Sequence, residues 1–153
     1  MNGTILCPTR GGKASYPNQD RAIALAKERG ADLLFLYVNN VEFLDHTMGS
    51  KVVDLETELD EMGDFLLAMA QERAQMADVK AFTTVRRGNF RQVLKAILKE
   101  REIDTIILGS SGSDAGLVTR EYIQKLGKEL SEEASVEFII LYEGKITHTF
   151  KKD

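Results

Sequence analysis

The sequence predicts an α/β protein: an open, five-stranded parallel sheet with helices on both faces. Three observations carry this. Two continuous apolar runs, Ala31–Val38 (A-D-L-L-F-L-Y-V) and Ile106–Leu108, are bounded by turn residues, the pattern of strands buried on both faces. Between the strand-like runs, apolar residues recur at spacings of three and four, the period of amphipathic helices. The two patterns alternate as β-α-β-α-β-α-β-α-β, and right-handed crossovers turn that order into a parallel sheet.

In chain order, Gly3–Cys7 reads as a short strand stopped by Pro8. A turn-rich stretch follows, in which Pro17 suits a first helical turn. Asn18–Arg29 places Ala22, Ile23 and Ala26 on one helix face, and Gly30 suits the C-cap. After the strand Ala31–Val38 comes an irregular polar loop, Asn39–Ser50. Lys51–Met76 is the longest helical pattern, with Val52, Leu55, Leu59, Met62, Phe65, Leu66 and Met69 in register and Gly63 inside it. Val79–Val85 is the third strand; Asn89 is a suitable N-cap for a helix over Phe90–Arg101 with Phe90, Val93, Leu94, Ile97 and Leu98 inward. After the fourth strand, Leu117–Glu133 is helical on Val118, Tyr122, Ile123, Leu126 and Leu130, and Val136–Tyr142 is the fifth strand. The tail I-T-H-T-F alternates like a short extra strand after a turn at Glu143-Gly144-Lys145, placed either back on strand five or across a second subunit.

The 153 residues fit a single domain spanning 1–153, with no internal repeat. A net charge of -4 leaves no basic surplus to neutralise phosphates, so no nucleic acid is expected as partner. No apolar run approaches the ~20 residues of a membrane span, and the N-terminus M-N-G-T-I-L-C lacks a leader pattern, so a cytoplasmic, membrane-free protein is expected. The lone Cys7 ends a buried strand and reads as core. His46 and His148 lie in polar surroundings and read as surface residues, and no zinc-site spacing is present.

The chemistry-bearing stretch is Ile103–Gly116 (I-D-T-I-I-L-G-S-S-G-S-D-A-G). In an open parallel sheet, ligands sit at the carboxyl ends of strands. Glycines there let the backbone approach an anion, and free amides at a helix start attract negative charge. Gly11-Gly12-Lys13-Ala14 is not a P-loop, because Cys7 and Ala14 stand where that motif needs Gly and Ser or Thr. Asp114 suits a turn better than a lone metal ligand. Met62, Met69 and Met76 read as core or interface filler, and the acidic run Asp54–Asp64 as a solvated helix face. No Ser-His-Asp or Cys-His set appears at loop positions, so an enzyme is not expected beyond weak ATP hydrolysis.

The segments I-L-C-P-T-R, A-K-E-R-G-A-D-L-L-F-L-Y-V, G-N-F-R-Q-V-L-K-A-I and D-T-I-I-L-G-S-S-G, in this order, resemble the universal stress protein family over essentially the whole chain up to Tyr142. The resemblance implies the strand order 3-2-1-4-5, a Rossmann-like arrangement related to the adenine nucleotide alpha hydrolases, and a homodimer paired through the last strand and, here, the C-terminal tail. It also implies ATP or a related adenine nucleotide on a Gly-x2-Gly-x9-Gly-Ser/Thr pattern, with magnesium entering only with the nucleotide. Adenosine would lie near the ends of strands one and two, and the phosphates on the late glycine loop.

Carried over residue by residue, Pro8, Thr9 and Val38 are kept, and Gly109 and Gly112 supply the first two glycines. The final Gly-Ser is absent: one register places Tyr122-Ile123 there, the other Gln124-Lys125. The family's aspartate after Pro-Thr is Arg10. Ser110, Ser111 and Ser113 offer hydroxyls, Arg10 and Lys13 offer charge, and Tyr122 has the bulk to fill the vacated space. The expected function is a stress-response or regulatory protein with a partly degenerate nucleotide cleft. The alternatives are a different small anionic ligand, or a ligand-free dimeric interaction module with a plugged cleft.

Overall fold

The computed structural model describes residues 3–39, 50–110 and 120–151. Strands β1 (Thr4–Pro8), β2 (Asp32–Asn39), β3 (Ala81–Arg87), β4 (Thr105–Gly109), β5 (Glu137–Tyr142) and β6 (Lys145–Phe150) form one sheet in the order β3-β2-β1-β4-β5-β6. The first five run parallel and β6 is antiparallel to β5. Helices α1 (Tyr16–Arg29), α2 (Ser50–Met76), α3 (Phe90–Glu100) and α4 (Arg120–Ala134) alternate with the parallel strands. The expected α/β architecture and the 3-2-1-4-5 order are therefore present, with the tail strand added to make the sheet mixed.

Local signals set the helix ends. Pro17 lies in the first turn of α1, and Gly30 closes it in the left-handed region at φ 65°. Asn89 caps α3 by accepting from the Gln92 amide at 3.3 Å.

The alternation of side chains along each strand divides the core into two layers. On one face Ile5, Cys7, Leu33, Phe35 and Ile107 meet Ala22, Ile23 and Ala26 of α1 and Leu67, Ala70 and Ala74 of α2. On the other, Leu6, Leu34, Leu36, Ile106 and Leu108 meet Val93, Leu94 and Ile97 of α3 and Ile123, Leu126 and Leu130 of α4. Cys7 packs in the first layer, and burial pushes its thiol up to about 12, so it stays protonated as a core residue.

Helix α2 differs from its expected facing. Leu67, Ala70 and Ala74 are buried, while Met62, Phe65, Met69 and Met76 are exposed, Phe65 at 65%. The reason is close approach. A Cβ on Gly63 would lie 2.7 Å from the Tyr37 ring, so glycine and alanines line the contact and the bulky side chains stand outside it. Val52 and Leu55 fall outside the described side chains; Glu58 is exposed as expected.

Pro8 belongs to β1 and does not precede its end. Thr9 N donates to Leu36 O on the β2 side at 2.8 Å. Neighbouring residues of a strand point their backbone groups to opposite sides, so the Pro8 nitrogen faces β4, where its missing N–H is not needed. The β1–β4 ladder holds only Ile5 to Thr105 and Leu6 to Ile106, whereas β1–β2 continues to Pro8 and Leu36. The paired register of the two central strands thus ends at Leu6 and Ile106, before their carboxyl ends.

The tail folds back on its own strand. Glu143 (φ 50°) and Gly144 (φ 82°) form a two-residue turn of the left-handed kind that matches hairpin twist. Thr147 is skipped in the ladder, and its hydroxyl donates to Ile140 O at 3.3 Å. Phe150 anchors β6 beneath α4, where Gly127 leaves room: a Cβ there would come within 2.8 Å of both Phe138 and Phe150.

Candidate functional site at the carboxyl ends of the central strands

The strand order reverses between β1 and β4, and their paired register stops at Leu6 and Ile106. This is the crevice in which open α/β sheets hold ligands. Two turns border it. The first leaves β1 through Thr9, Arg10, Gly11 and Gly12, passes a 3₁₀ turn at Lys13–Ser15 and enters α1. Both glycines have φ 74°, a conformation other residues adopt only with strain. Gly11 is pressed against α2, where an added Cβ would lie 2.6 Å from that of Leu66. Gly12 faces open space, with no heavy atom within 4 Å of an added Cβ.

Thr9 fixes this turn. Its Oγ1 accepts from Gly11 N at 3.1 Å and from Gln19 Nε2 at 3.0 Å. Gln19 is only 1% exposed, and its Oε1 has no hydrogen-bond partner. An unmatched buried acceptor of this kind costs about 1–3 kcal/mol. Arg10 and Lys13 are exposed and form no ion pair with any described residue. At the start of α1, Ser15 makes no side-chain capping bond; the Tyr16 amide donates to Lys13 O of the preceding 3₁₀ turn and Pro17 has no N–H, so the first two positions of the helix need no cap.

The second turn leaves β4 through Gly109 and Ser110. A Cβ on Gly109 would collide with the Asn18 side-chain amide, so Asn18 covers this glycine. Asn18 is held in turn by the tail: its Oδ1 accepts from Gly144 N at 2.8 Å. Ser110 gives both of its donors to one acceptor, Leu141 O, through its amide at 2.7 Å and its hydroxyl at 3.1 Å. Ser111, Gly112, Ser113 and Asp114 lie outside the described residues.

The end of β2 forms the third side. Val38 is half-buried and packs, with Phe90 and Tyr122, on the core layer beneath α3 and α4. Tyr122 is thereby engaged in apolar packing, and burial raises its hydroxyl pKa. Beside Val38, buried Asn39 donates to Asp60 Oδ1 at 2.8 Å, and Arg87 donates to Asp60 Oδ2 at 2.8 Å. Burial pushes the Asp60 carboxyl up, but the hydrogen bonds from Arg87 and Asn39 and the charge of Arg87 outweigh it and hold it below the usual range.

Of the residues expected from sequence, Pro8, Thr9, Arg10 and Lys13 come together at one turn, Gly109 and Ser110 at the other, and Val38 and Tyr122 share a packing layer. Sequence reasoning missed Gln19 and Asn18. The signal for Gln19 was available: it stands at positions 19, 22, 23 and 26 with Ala22, Ile23 and Ala26, a polar residue on the inward face of α1.

Two shallow surface grooves lie elsewhere, near the amino ends of β4 and β5. One, of about 320 Å³, is bordered by Arg29, Asp104, Thr105, Glu137 and Lys151; the other, of about 350 Å³, by Lys128, Ser131, Glu132, Phe150 and Lys151. Arg29 is already committed to Glu137 at 2.8 Å and to the Thr105 hydroxyl at 3.1 Å, so its charge is matched within the chain. Among the described residues no His, Cys, Asp and Glu group is arranged to hold a metal, and no helix is long and apolar enough to cross a membrane.

Comparison with known proteins gives a consistent family. The family model described as "Universal stress protein family" matches residues 1–125. No curated protein matches the chain. Among solved structures, the universal stress protein UspA from Lactobacillus plantarum is similar at 17% identity and a TM-score of 0.73, covering 91% of this chain and 97% of that one. A universal stress protein in complex with cAMP aligns at 16% identity and a TM-score of 0.63, over 91% of this chain and 96% of that one. A universal stress protein family protein from Arabidopsis thaliana with AMP bound aligns at 14% identity and 0.59, over 92% and 91%.

Proposed function

We propose, since the chain belongs to the universal stress protein family, that it is a stress-response regulator that binds an adenine nucleotide in the crevice between β1 and β4. The observation that supports this reading is the reversal of strand order between β1 and β4, whose paired register ends at Leu6 and Ile106, with the glycine turn after β1 fixed by Thr9 at that end. The cAMP and AMP complexes of similar proteins support an adenine ligand. Binding, not turnover, is the proposed mode of action: the described residues around the crevice supply donors and charge but no paired nucleophile and base. Magnesium would enter only with the nucleotide. The proposed location is the cytoplasm, in keeping with a reduced Cys7.

Thermal unfolding with AMP, cAMP, ADP and ATP tests this. A ligand that binds only the native state stabilises it by about 2.7 kcal/mol at a hundredfold excess over Kd. For a domain of this size each kcal/mol is worth about 2–4 °C. A midpoint raised by several degrees supports the reading, and no shift with any nucleotide refutes it.

The proposed assembly is a homodimer along the tail strand. Because β6 covers β5 within the chain, β6 is the strand that offers unpaired backbone groups at this edge. Light scattering that returns a monomer mass at micromolar concentration overturns this. A second reading, the ligand-free interaction module, is favoured by one observation: Met62, Phe65 and Met69 of α2 and Phe82 of β3 are exposed. It prevails if nucleotides leave the unfolding midpoint unchanged.

A further inference from the structure

We infer that the outward face of α2 is a docking surface for a protein partner that presents a basic amphipathic helix. The surface stands apart from the crevice and needs no ligand there.

Helix α2 carries two apolar stripes, and the described residues cover one of them. Gly63, Leu67, Ala70 and Ala74 are buried on the sheet side. There a Cβ on Gly63 would press on the Tyr37 ring of β2, and Gln71 Nε2 donates to Ala81 O of β3 at 2.7 Å. Met62, Phe65 and Met69 follow at spacings of three and four along the outward side, and Met76 continues the line two turns on. All four are exposed, Phe65 at 65% and Met76 at 80%. A helix that served only to cover the sheet would keep its outward face polar. Here the large apolar side chains stand outward and the small ones inward. Exposed apolar stripes mark interaction sites, and phenylalanine and methionine are enriched in interfaces.

Charge selects the partner. Each position of the stripe has an acidic neighbour about one turn away: Glu58 lies four before Met62, Glu61 four before Phe65, and Glu72 three beyond Met69 and four before Met76. These three carboxylates are exposed and form no ion pair among the described residues. Arg73, the one basic residue among the described side chains of α2, is engaged by Asp20 and by the Tyr16 ring. A second copy of α2 would therefore set carboxylates against carboxylates, and an anionic lipid surface would be repelled in the same way. A segment with lysines or arginines beside an apolar stripe satisfies both features at once.

The spacing also selects a helix. Met62 to Met76 makes a line of about 21 Å along α2, which a facing helix of about four turns follows with its own residues at three and four. An extended segment would need an unpaired sheet edge, which a helix face does not offer. Three of the four apolar side chains are methionines, whose flexible thioethers adapt to differing apolar faces, so charge and spacing are specified more than one exact shape. Helix α2 packs on β2 and β3, at the sheet edge opposite β6, so its outward face stays open in a dimer formed along β6.

Fluorescence anisotropy of the full chain with a synthetic leucine-lysine peptide of about sixteen residues, its leucines at helical spacing, tests this without nucleotide. The peptide is expected to bind at least tenfold tighter than the same residues scrambled, and at least tenfold tighter than its analogue with glutamate for lysine. Phe65→Ser, and separately Glu61→Lys/Glu72→Lys, are each expected to weaken binding at least tenfold; these side chains are exposed, so the unfolding midpoints stay in place. Equal affinity for the scrambled peptide, or binding indifferent to both variants, overturns the inference. So does binding to anionic vesicles that Phe65→Ser abolishes, which gives the face to a membrane, or a dimer mass in light scattering that Phe65→Ser halves, which gives it to a second copy. None of these outcomes bears on the nucleotide reading.

Discussion

The turns after β1 and β4 are both glycine-containing strand ends, and they border the same crevice, yet they differ in how their polar groups are used. At β4 the chain consumes its own donors: Ser110 bonds twice to Leu141 O, and Asn18 lies over Gly109. At β1, Arg10 and Lys13 form no ion pair among the described residues, and the Gln19 carboxamide oxygen is buried with no partner among them. A glycine therefore indicates where a backbone admits close approach, and the neighbouring side chains determine who approaches. At Gly109 the occupant is Asn18; at Gly12 there is open space.

The largest way to break this contrast is to crowd the β4 turn. Gly109→Val forces Asn18 out, releases Gly144 N and disturbs the tail turn. Overpacking of this sort costs about 1–3 kcal/mol, and urea unfolding should show a loss in that range. An unaltered midpoint in urea would mean that Asn18 yields freely and does not close this end.

A milder change sharpens the same contrast from the other side. Asn18→Ala uncovers Gly109 and leaves Gly144 N without its partner, at a cost of about 1 kcal/mol. Uncovering Gly109 should enlarge the nucleotide-induced shift of the unfolding midpoint if Asn18 occupies ligand space. An unchanged shift would mean that Asn18 does not compete with the ligand at this end.

Gln19→Met sharpens the β1 side. The substitution loses the bond to Thr9 but also removes an unmatched buried acceptor, two effects of about 1 kcal/mol each and of opposite sign. Stability without ligand should change by less than about 1 kcal/mol, while the nucleotide-induced shift weakens, because Thr9 loses a partner that helps fix the glycine turn. A large loss of ligand-free stability would show that Gln19 serves the fold and not the ligand.

What was legible in the sequence follows the same division. Strand cores such as Leu33–Leu36 and Ile106–Leu108 announce themselves because burial on both faces removes any need for alternation. The faces of α1 and α3 were readable because their inward residues are also their most apolar ones. Helix α2 was misread because its contact face is Gly63, Ala70 and Ala74 around Leu67, and closeness to the sheet selects small residues over hydrophobic ones. Pro8 does end β1, but as its last residue and not the first beyond it, because its missing N–H faces β4 while the β2 side stays paired through Leu36. In the candidate site, Thr9 was named from the family resemblance and Arg10 and Lys13 from their charge near the same sheet edge, and the three lie on one turn. The commitment of Ser110 to Leu141 and of Asn18 to Gly144 was not readable, because each joins residues more than thirty positions apart.

The smallest expected effect lies away from both turns and serves as their control. Between α3 and α4, Glu129 pairs with Arg91 and with Lys95 at 2.7 Å. The hydrogen bonds from Arg91 and Lys95 pull its carboxyl down from the usual 4.5 to about 2. A depressed acid pKa contributes stability that is complete above the ordinary value and disappears as pH falls through the folded one. The contribution of Glu129 is therefore present at neutral pH and fades between about pH 4.5 and pH 2. These groups are partly solvated, so it amounts to about 1 kcal/mol or less. Glu129→Gln should lower stability slightly at pH 7, and the gap to the unsubstituted chain should close by about pH 2. Nucleotide shifts measured between pH 6 and 8 should be the same in both chains, because the network touches neither turn. A changed ligand response in this variant would mean that the α3–α4 layer, through Tyr122 and Val38, participates in the site.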